Sequence, residues 1–434
     1  GGGVCSGIIM GAVDSLYRLH RLRRRLRWPP EKLEALRRRK LQDLLQYCFK
    51  HIPYYRRQFD EIKAQPEDFQ RPEDLSAFPI LEKETLRDQA EEFLNPALDR
   101  SGWIQYRSSG STGIPLELWY TPAERLQMGH TVTRELLFNG LLPHYRLVNI
   151  TEPRHSSPKS KWYHRLGLMN EQFLSVYDQS RLNLAKLLEF QPQAIIGFPS
   201  VLMLIGREME KVGKPLRPKL LFTLAEVLTA QDRVLLQKQW GVHPLDLYGA
   251  NEVGHIAFQC SHRRGYHINV DSLHVEILQG DRPAKMGDRG EVVVTNFDLR
   301  VMPILRYRVG DVAIRVEGSC SCGCSFPLLG EIAGRSDGFI TGCDGQLFSA
   351  LEISLLLKPL SGVRQYRLVQ DRPGSLSVEW VAKDDSVQPE AQMRNLLSAR
   401  LGEKMEITLR IVDEIRPEKS GKIRTVISSL PRPF

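Results

Sequence analysis

Two short apolar runs constrain the fold most. Ala194-Ile195-Ile196-Gly197-Phe198 and Leu220-Leu221-Phe222-Thr223-Leu224 have the length of buried strands. Each runs into a stretch of helical periodicity, Val201 to Val212 and Gln231 to Trp240. Alternation of this kind from about residue 100 to 335 predicts an α/β fold of layered sheets and helices. After about residue 265 the pattern becomes mostly strand, with His274 to Leu278 and Gly290 to Thr295 bounded by Gly, Asp and Pro turns. Beyond Asp337-Gly338 a compact tail follows, with helices expected near 350–357 and 388–402 and strands near 364–370, 376–382 and 406–413. At 434 residues the chain exceeds the size a single core usually reaches. The expected organisation is a basic helical extension over 1–60, a large α/β domain with a late β-rich part over 61–336, and a small mobile α+β domain over 337–434.

A composition 42% hydrophobic and 26% charged is that of an ordinary soluble protein, and no apolar run approaches the roughly 20 residues that span a bilayer. Gly1 to Ala12 is apolar but lacks the basic start and small-residue cleavage site of a secretory signal. Much of the net charge of +9 sits in Arg18, Arg21, Arg23, Arg24, Arg25, Arg27 and Arg37 to Lys40. Residues 14–60 read as two helices divided by Pro29-Pro30, the first with Leu16, Leu19, Leu22 and Leu26 along one side. A basic helix of this kind is either simply solvated or meets an anionic partner. No aromatic platform interleaves the arginines, so no nucleic-acid partner is expected, and peripheral membrane contact stays open.

Seven cysteines do not read as a disulfide framework, because three crowd into Cys320-Ser321-Cys322-Gly323-Cys324, and a reducing cytoplasm fits them best. Cys260, His267, Cys320 and Cys322 instead have the sulfur-rich composition of a closed structural zinc site, with His262 and Cys324 as substitutes within reach. The alternative is a set of reduced, buried cysteines.

Four motifs follow one another: Ser108-Ser109-Gly110-Ser111-Thr112-Gly113-Ile114-Pro115, Tyr248-Gly249-Ala250-Asn251-Glu252, Tyr307-Arg308-Val309-Gly310-Asp311 and Gly334-Arg335-Ser336-Asp337. Ser420-Gly421-Lys422 lies near the end. The first follows a likely strand, Trp103 to Tyr106; its glycines let backbone amides approach a phosphate, and its hydroxyls add donors. No Gly-Lys-Ser/Thr follows, so it is not a Walker loop.

Taken in order, these motifs resemble the acyl-adenylate-forming superfamily of acyl-CoA synthetases, peptide-synthetase adenylation domains and luciferases. Within it the sequence is most similar to the phenylacetate–CoA ligase and CapK-like branch. His51-Ile52-Pro53-Tyr54-Tyr55-Arg56, Phe78-Pro79-Ile80-Leu81-Glu82-Lys83, Ile196-Gly197-Phe198-Pro199-Ser200 and Gly265-Tyr266-His267 carry that finer likeness, which runs from about residue 40 onward.

The resemblance implies a role for each matching residue. Ser108 to Gly113 would cradle the β- and γ-phosphates of ATP, Tyr248, Gly249, Ala250 and Asn251 would flank adenine and the α-phosphate, and Asp311 would accept from the ribose hydroxyls. Glu252 would hold Mg²⁺, and Arg335 would contact ribose and phosphates. Lys422 would stabilise charge as a carboxylate attacks the α-phosphorus, and Asp337 would be the hinge about which the small domain turns. Family precedent puts the acyl pocket at Phe198, Leu224, Ala225 and Ala250, suited to an aryl or medium acyl group. Similar zinc ligands occur in part of the branch.

The chain departs from the family pattern twice. Ile114 stands where many relatives carry lysine, and Asn251 stands where Thr or Ser is usual, so modified activity is expected. The expected reaction is acid plus ATP to acyl-AMP, then transfer to the thiol of CoA. An amine, hydroxyl or carrier-protein thiol as acceptor is the alternative, and a non-catalytic adaptor a third. His255 would lie near Glu252 or serve as an ordinary surface histidine.

Overall fold

The two apolar runs are direct neighbours in space. A computed structural model describes residues 2–107, 116–151, 170–335, 338–357, 360, 362–382, 389–416 and 425–430. Ala194–Gly197 and Leu220–Leu224 pair in parallel, Ala194 opposite Leu220 and Gly197 opposite Thr223. Among the described residues they belong to an eight-stranded sheet. Its spatial order is Leu328–Leu329, Tyr266–Ile268, Gly254–Gln259, Pro244–Ala250, Leu220–Leu224, Ala194–Gly197, Leu147–Thr151 and Glu171–Ser175. The last five strands are parallel, and Gly254–Gln259 turns back against Pro244–Ala250.

Helices Ser180–Phe190, Pro199–Val212 and Ala230–Trp240 supply one core, in which Leu187, Leu202, Ile205, Leu236 and Trp240 meet Ile195 and Leu221. The alternate strand residues Ile196 and Phe222 join Leu26, Leu33, Leu136 and Phe258 in a second core that includes the helix Pro122–Phe138. Coverage on both faces is why these strands read as unbroken apolar runs. The Pro199–Val212 helix starts with proline at its first position and stops at Gly213, whose φ of 64° is the left-handed conformation that glycine adopts without strain.

A second sheet of five described strands is antiparallel, in the order Arg282–Pro283, Leu273–Gln279, Arg289–Asn296, Tyr307–Ile314 and Ile332–Arg335. The tail forms a sheet of Glu406–Ile411, Ser375–Ala382, Val363–Gln370 and Val426–Ser428, with helices Ala350–Leu357 and Glu390–Leu401. Its core holds Leu368, Val378, Trp380, Met393 and Leu397. The fold is thus mixed α/β with several sheets. No helix among the described residues is long and apolar enough to cross a membrane.

The N-terminal region differs from expectation. Residues 2–62 form three helices, Gly2–Arg25, Pro30–His51 and Pro53–Ile62, because Pro53 stops the second as Pro29-Pro30 stops the first. The leucine side of the first helix is only partly buried: Leu22 and Leu26 are each 3% exposed, whereas Leu16 is 66% exposed. The hairpin Phe339–Thr341 with Leu347–Ser349 and the strand Val426–Ser428 also went unexpected, since three-residue strands are too short to show a period.

A buried charge cluster ties these parts together. Asp271 is fully buried, with Arg134 Nη1 2.8 Å and Arg25 Nη1 3.2 Å from its Oδ2. Lys40 Nζ donates to the Asp271 carbonyl at 2.8 Å, and Arg134 Nη2 donates to Asn269 Oδ1 at 2.7 Å. Burial by itself raises the Asp271 carboxyl, but Arg134, Arg25 and Lys40 together hold it below the usual carboxylate range.

Asp271→Asn strands two buried guanidinium groups, so urea unfolding at pH 7 is expected to show a loss of about 3–5 kcal/mol. A depressed carboxyl stabilises the fold above its unfolded value of about 3.9, and that contribution disappears as pH falls through the lower folded value. The gap between parent and variant should therefore narrow when the unfolding is repeated in acid.

Candidate active site

Three adjacent strands of the parallel sheet end at one carboxyl edge, the place where open α/β sheets commonly bind ligands. Phe198 follows Ala194–Gly197, Ala225 follows Leu220–Leu224, and Ala250 ends Pro244–Ala250. The last strand doubles back through Asn251-Glu252-Val253 into Gly254–Gln259. A Cβ on Gly249 would sit 2.8 Å from the Gly254 carbonyl oxygen, so this tight return requires glycine.

Three of the sequence motifs meet here. Tyr248, from the parallel sheet, donates its hydroxyl to Asp311 Oδ2 of the antiparallel sheet at 2.9 Å. Arg335 pairs with Asp311 across neighbouring strands, and its Nη1 lies 3.3 Å from Asp311 Oδ1. Gly310, with φ of 82°, leaves room for that guanidinium: a Cβ there would lie 2.7 Å from Arg335 Nη2. Tyr307, at the start of the same strand, donates to Glu252 Oε1 at 3.1 Å. Burial, reinforced by the facing Asp311 and Glu252 carboxylates, pushes the Tyr248 and Tyr307 phenols far up, so both remain protonated donors.

The loop Ser108, Ser109, Gly110, Ser111, Thr112, Gly113 and Ile114 lies outside the described residues, as do Asp337 and Lys422. The hairpin that brackets the loop is described: Ile104–Arg107 pairs with Glu117–Tyr120. Tyr120 at its far end donates to the Asn251 carbonyl at 2.5 Å, which ties this hairpin to the second motif.

Sequence reasoning missed two features at this edge. Ala225 has a φ of 67°, a strained value for a residue with a side chain. Beside it, Glu226 accepts from the Ser200 amide at 2.9 Å and the Ser200 hydroxyl at 2.8 Å, clamping the Ala225 turn onto the first turn of the Pro199–Val212 helix. One acid after an apolar run gives no sequence signal for such a clamp. His255, in turn, has Glu135 as its carboxylate partner: Nδ1 donates to Glu135 Oε2 at 2.8 Å, and Asn269 Nδ2 donates to Glu135 Oε1 at 2.7 Å.

The four predicted metal ligands converge. The donor atoms of Cys260, His267, Cys320 and Cys322 all lie within 4.8 Å of one another, and this set includes neither His262 nor Cys324. Cys260 Sγ is 3.6 Å from Cys320 Sγ, and Cys322 Sγ is 3.2 Å from His267 Nε2. Tetrahedral zinc, with Zn–S near 2.3 Å, sets sulfur atoms about 3.8 Å apart, so the spacing fits. His267 Nδ1 donates to the Phe326 carbonyl at 3.2 Å, which leaves the Nε2 lone pair facing the sulfurs.

The family model of the CapK C-terminal domain matches residues 340–429. The chain is 28% identical over 364 residues to phenylacetate–coenzyme A ligase of Thermus thermophilus, covering 80% of each chain. It is 26% identical to phenylacetate–coenzyme A ligase of Escherichia coli K12, covering 91% of this chain and 92% of that one. These likenesses support the phenylacetate–CoA ligase and CapK-like branch of the adenylate-forming enzymes. The ligase is therefore an enzyme of the AMP-forming class. A 2-hydroxyisobutyryl-CoA ligase in its postadenylation state shares its fold, with a TM-score of 0.74 at 19% identity over 94% of this chain and 91% of that one.

Within the ligase, Tyr307 donates its hydroxyl to Glu252. Tyr307→Phe is expected to lower acid-dependent ATP–pyrophosphate exchange about tenfold or more, the worth of a hydrogen bond to a charged group. An unchanged unfolding midpoint would place that loss in the site rather than in the fold.

Proposed function

We propose that this ligase joins an aryl or medium-chain carboxylic acid to ATP, releasing pyrophosphate, and then passes the acyl group to the thiol of CoA. The observation that carries the reading is the meeting of Tyr248, Asp311 and Arg335 beside Tyr307 and Glu252 at the carboxyl edge of the parallel sheet. The likeness to CoA ligases supports acid activation through an acyl-adenylate.

On this reading a substrate carboxylate oxygen attacks the α-phosphorus and pyrophosphate leaves. The thiol sulfur then attacks the acyl carbon, AMP leaves, and the thiol proton passes to solvent. Ser108 to Gly113 hold the β- and γ-phosphates, while Tyr248, Gly249, Ala250 and Asn251 flank adenine and the α-phosphate. Asp311, already accepting from Tyr248 and Arg335, has the acceptor capacity for ribose hydroxyls. Glu252 offers the hard oxygen ligand suited to the Mg²⁺ that accompanies ATP. Lys422 neutralises charge developing at the α-phosphate, and Asp337 is the position about which residues 337–434 turn against 61–336. Phe198, Leu224, Ala225 and Ala250 line the acid's pocket, held in shape by the Glu226–Ser200 clamp. Cys260, His267, Cys320 and Cys322 hold a structural zinc ion away from this chemistry, and the enzyme works in the cytoplasm.

The match to the CapK C-terminal domain favours a second reading of the acceptor. That domain would face the adenylate in the second half-reaction, so an amine, a hydroxyl or a carrier-protein thiol competes with CoA.

Acid-dependent ATP–pyrophosphate exchange without CoA, run across aryl, fatty and amino acids, is expected to respond to one aryl or acyl class. Lys422→Ala should lower that exchange at least about 100-fold. Adding CoA should then yield AMP and an acyl thioester; exchange without thioester would move the acceptor to the second reading, and no exchange with any acid in folded protein would overturn the proposal. Metal analysis of protein purified without chelator should find one zinc per chain, with a large fall in Cys322→Ser. Zinc-free folded protein would remove the metal from the reading.

A further inference from the structure

The first helix, Gly2–Arg25, has an outward side that neither the fold nor the proposed reaction uses. Ser15, Leu19, Leu22, Arg25 and Leu26 recur at helical spacing and turn toward the protein, from half-buried Ser15 and Leu19 to buried Leu22, Arg25 and Leu26. Leu16, Tyr17, His20, Arg23 and Arg24 recur at the same spacing on the outward side and are exposed. Leu16 and Tyr17 are 66% and 60% exposed, two large apolar side chains with no core to enter. Asp14 and Arg18 are exposed as well, so over residues 14–18 only Ser15 is partly covered. Upstream, Gly2 to Val13 carries no charged residue and includes Val4, Ile8, Ile9 and Met10.

The far end of this helix is firmly anchored. Arg25 is held by Asp271, and Ser325 caps the chain where the helix stops, its amide donating to the Leu26 carbonyl at 2.7 Å and its hydroxyl to Leu26 and Trp28 carbonyls at 3.0 and 2.6 Å. A helix anchored at its far end thus presents Leu16 and Tyr17 followed by a cluster of cations on one exposed side.

We infer that the outward side of this helix is a docking surface for an anionic lipid bilayer. Arg21, Arg23, Arg24 and Arg27 would lie among acidic headgroups while Leu16 and Tyr17 enter the interface. Charge alone would suit nucleic acid equally, but a polyphosphate backbone offers nothing to exposed Leu16 or to an uncharged helical stretch. A lipid surface uses both halves of the helix at once. Tyr17, with the Arg21 guanidinium 5.8 Å from its ring centroid, joins an apolar body to a polar tip, the character favoured at membrane–water boundaries.

Cosedimentation of the full chain with phosphatidylcholine vesicles containing about one-third phosphatidylglycerol tests this. The chain is expected to bind these vesicles, to leave pure phosphatidylcholine vesicles in the main unbound, and to weaken at about 0.5 M salt, where the screening length is only a few ångströms. Leu16→Ser with Tyr17→Ser should weaken binding about tenfold, and Arg23→Glu with Arg24→Glu by at least as much. All four side chains are exposed, so circular dichroism and urea unfolding should match the parent. Equal partition into both vesicle types, or binding unmoved by either double variant, would overturn the inference. So would binding of a DNA or RNA duplex that the arginine variant loses and the Leu16/Tyr17 variant keeps, which would assign the helix to nucleic acid.

Discussion

The buried carboxylate of Asp271 is the constraint around which the large domain is assembled. A charge out of reach of water must be met by opposite charge, and Arg134, Arg25 and Lys40 come to it from three different helices. The polar chain continues through Asn269 and Glu135 to His255, two strand positions from the turn that carries Glu252. The N-terminal helices, the helix Pro122–Phe138 and the hairpin of the second motif are therefore held by one connected set of hydrogen bonds. Such a network tolerates little, because loss of one member leaves the others buried without partners.

The site itself is a junction between two sheets. Tyr248 belongs to the parallel sheet and Glu252 to the turn that follows it, Tyr307, Asp311 and Arg335 belong to the antiparallel one, and hydrogen bonds between phenol and carboxylate join the two parts twice. Each acid has a buried tyrosine fixing one oxygen, and the other oxygen of Asp311 lies 3.3 Å from Arg335. The Glu226–Ser200 clamp does comparable work on the opposite wall, where Ala225 is kept in a backbone conformation it would not adopt freely. Rigid strand ends with locked side chains are the kind of support that a reaction sensitive to position needs.

The cysteine-rich loop has a structural reach beyond the two donor atoms it contributes, Cys320 Sγ and Cys322 Sγ. Phe326, two residues past Cys324, accepts from His267 and lies 5.2 Å beneath the Arg134 guanidinium, while Ser325 caps the end of the first helix. Order in this loop is thereby passed to the docking of the basic helix and to the Asp271 cluster. One segment serves the ligand set, the buried charges and the N-terminal anchor together.

The sequence by itself determined what depends on local pattern. Unbroken apolar runs specified strands covered on both faces, glycines and prolines specified the turns, and motif order identified the branch and its chemistry. The Cys260, His267, Cys320 and Cys322 set was legible because thiolate and imidazole are uncommon together. The second break at Pro53 was readable in principle and passed over, since proline at a first helical position looks like helix start and helix stop alike. What only the tertiary structure decided were pairings between distant residues: His255 with Glu135, Tyr307 with Glu252, Glu226 with Ser200, and Arg25 with Asp271. It also decided which leucines of the first helix are buried, a question periodicity leaves open because Leu16 and Leu22 look alike until a partner surface is present beside one and absent beside the other. Hydrophobic period is a property of a segment, whereas the partner of a buried charge is a property of the packed whole.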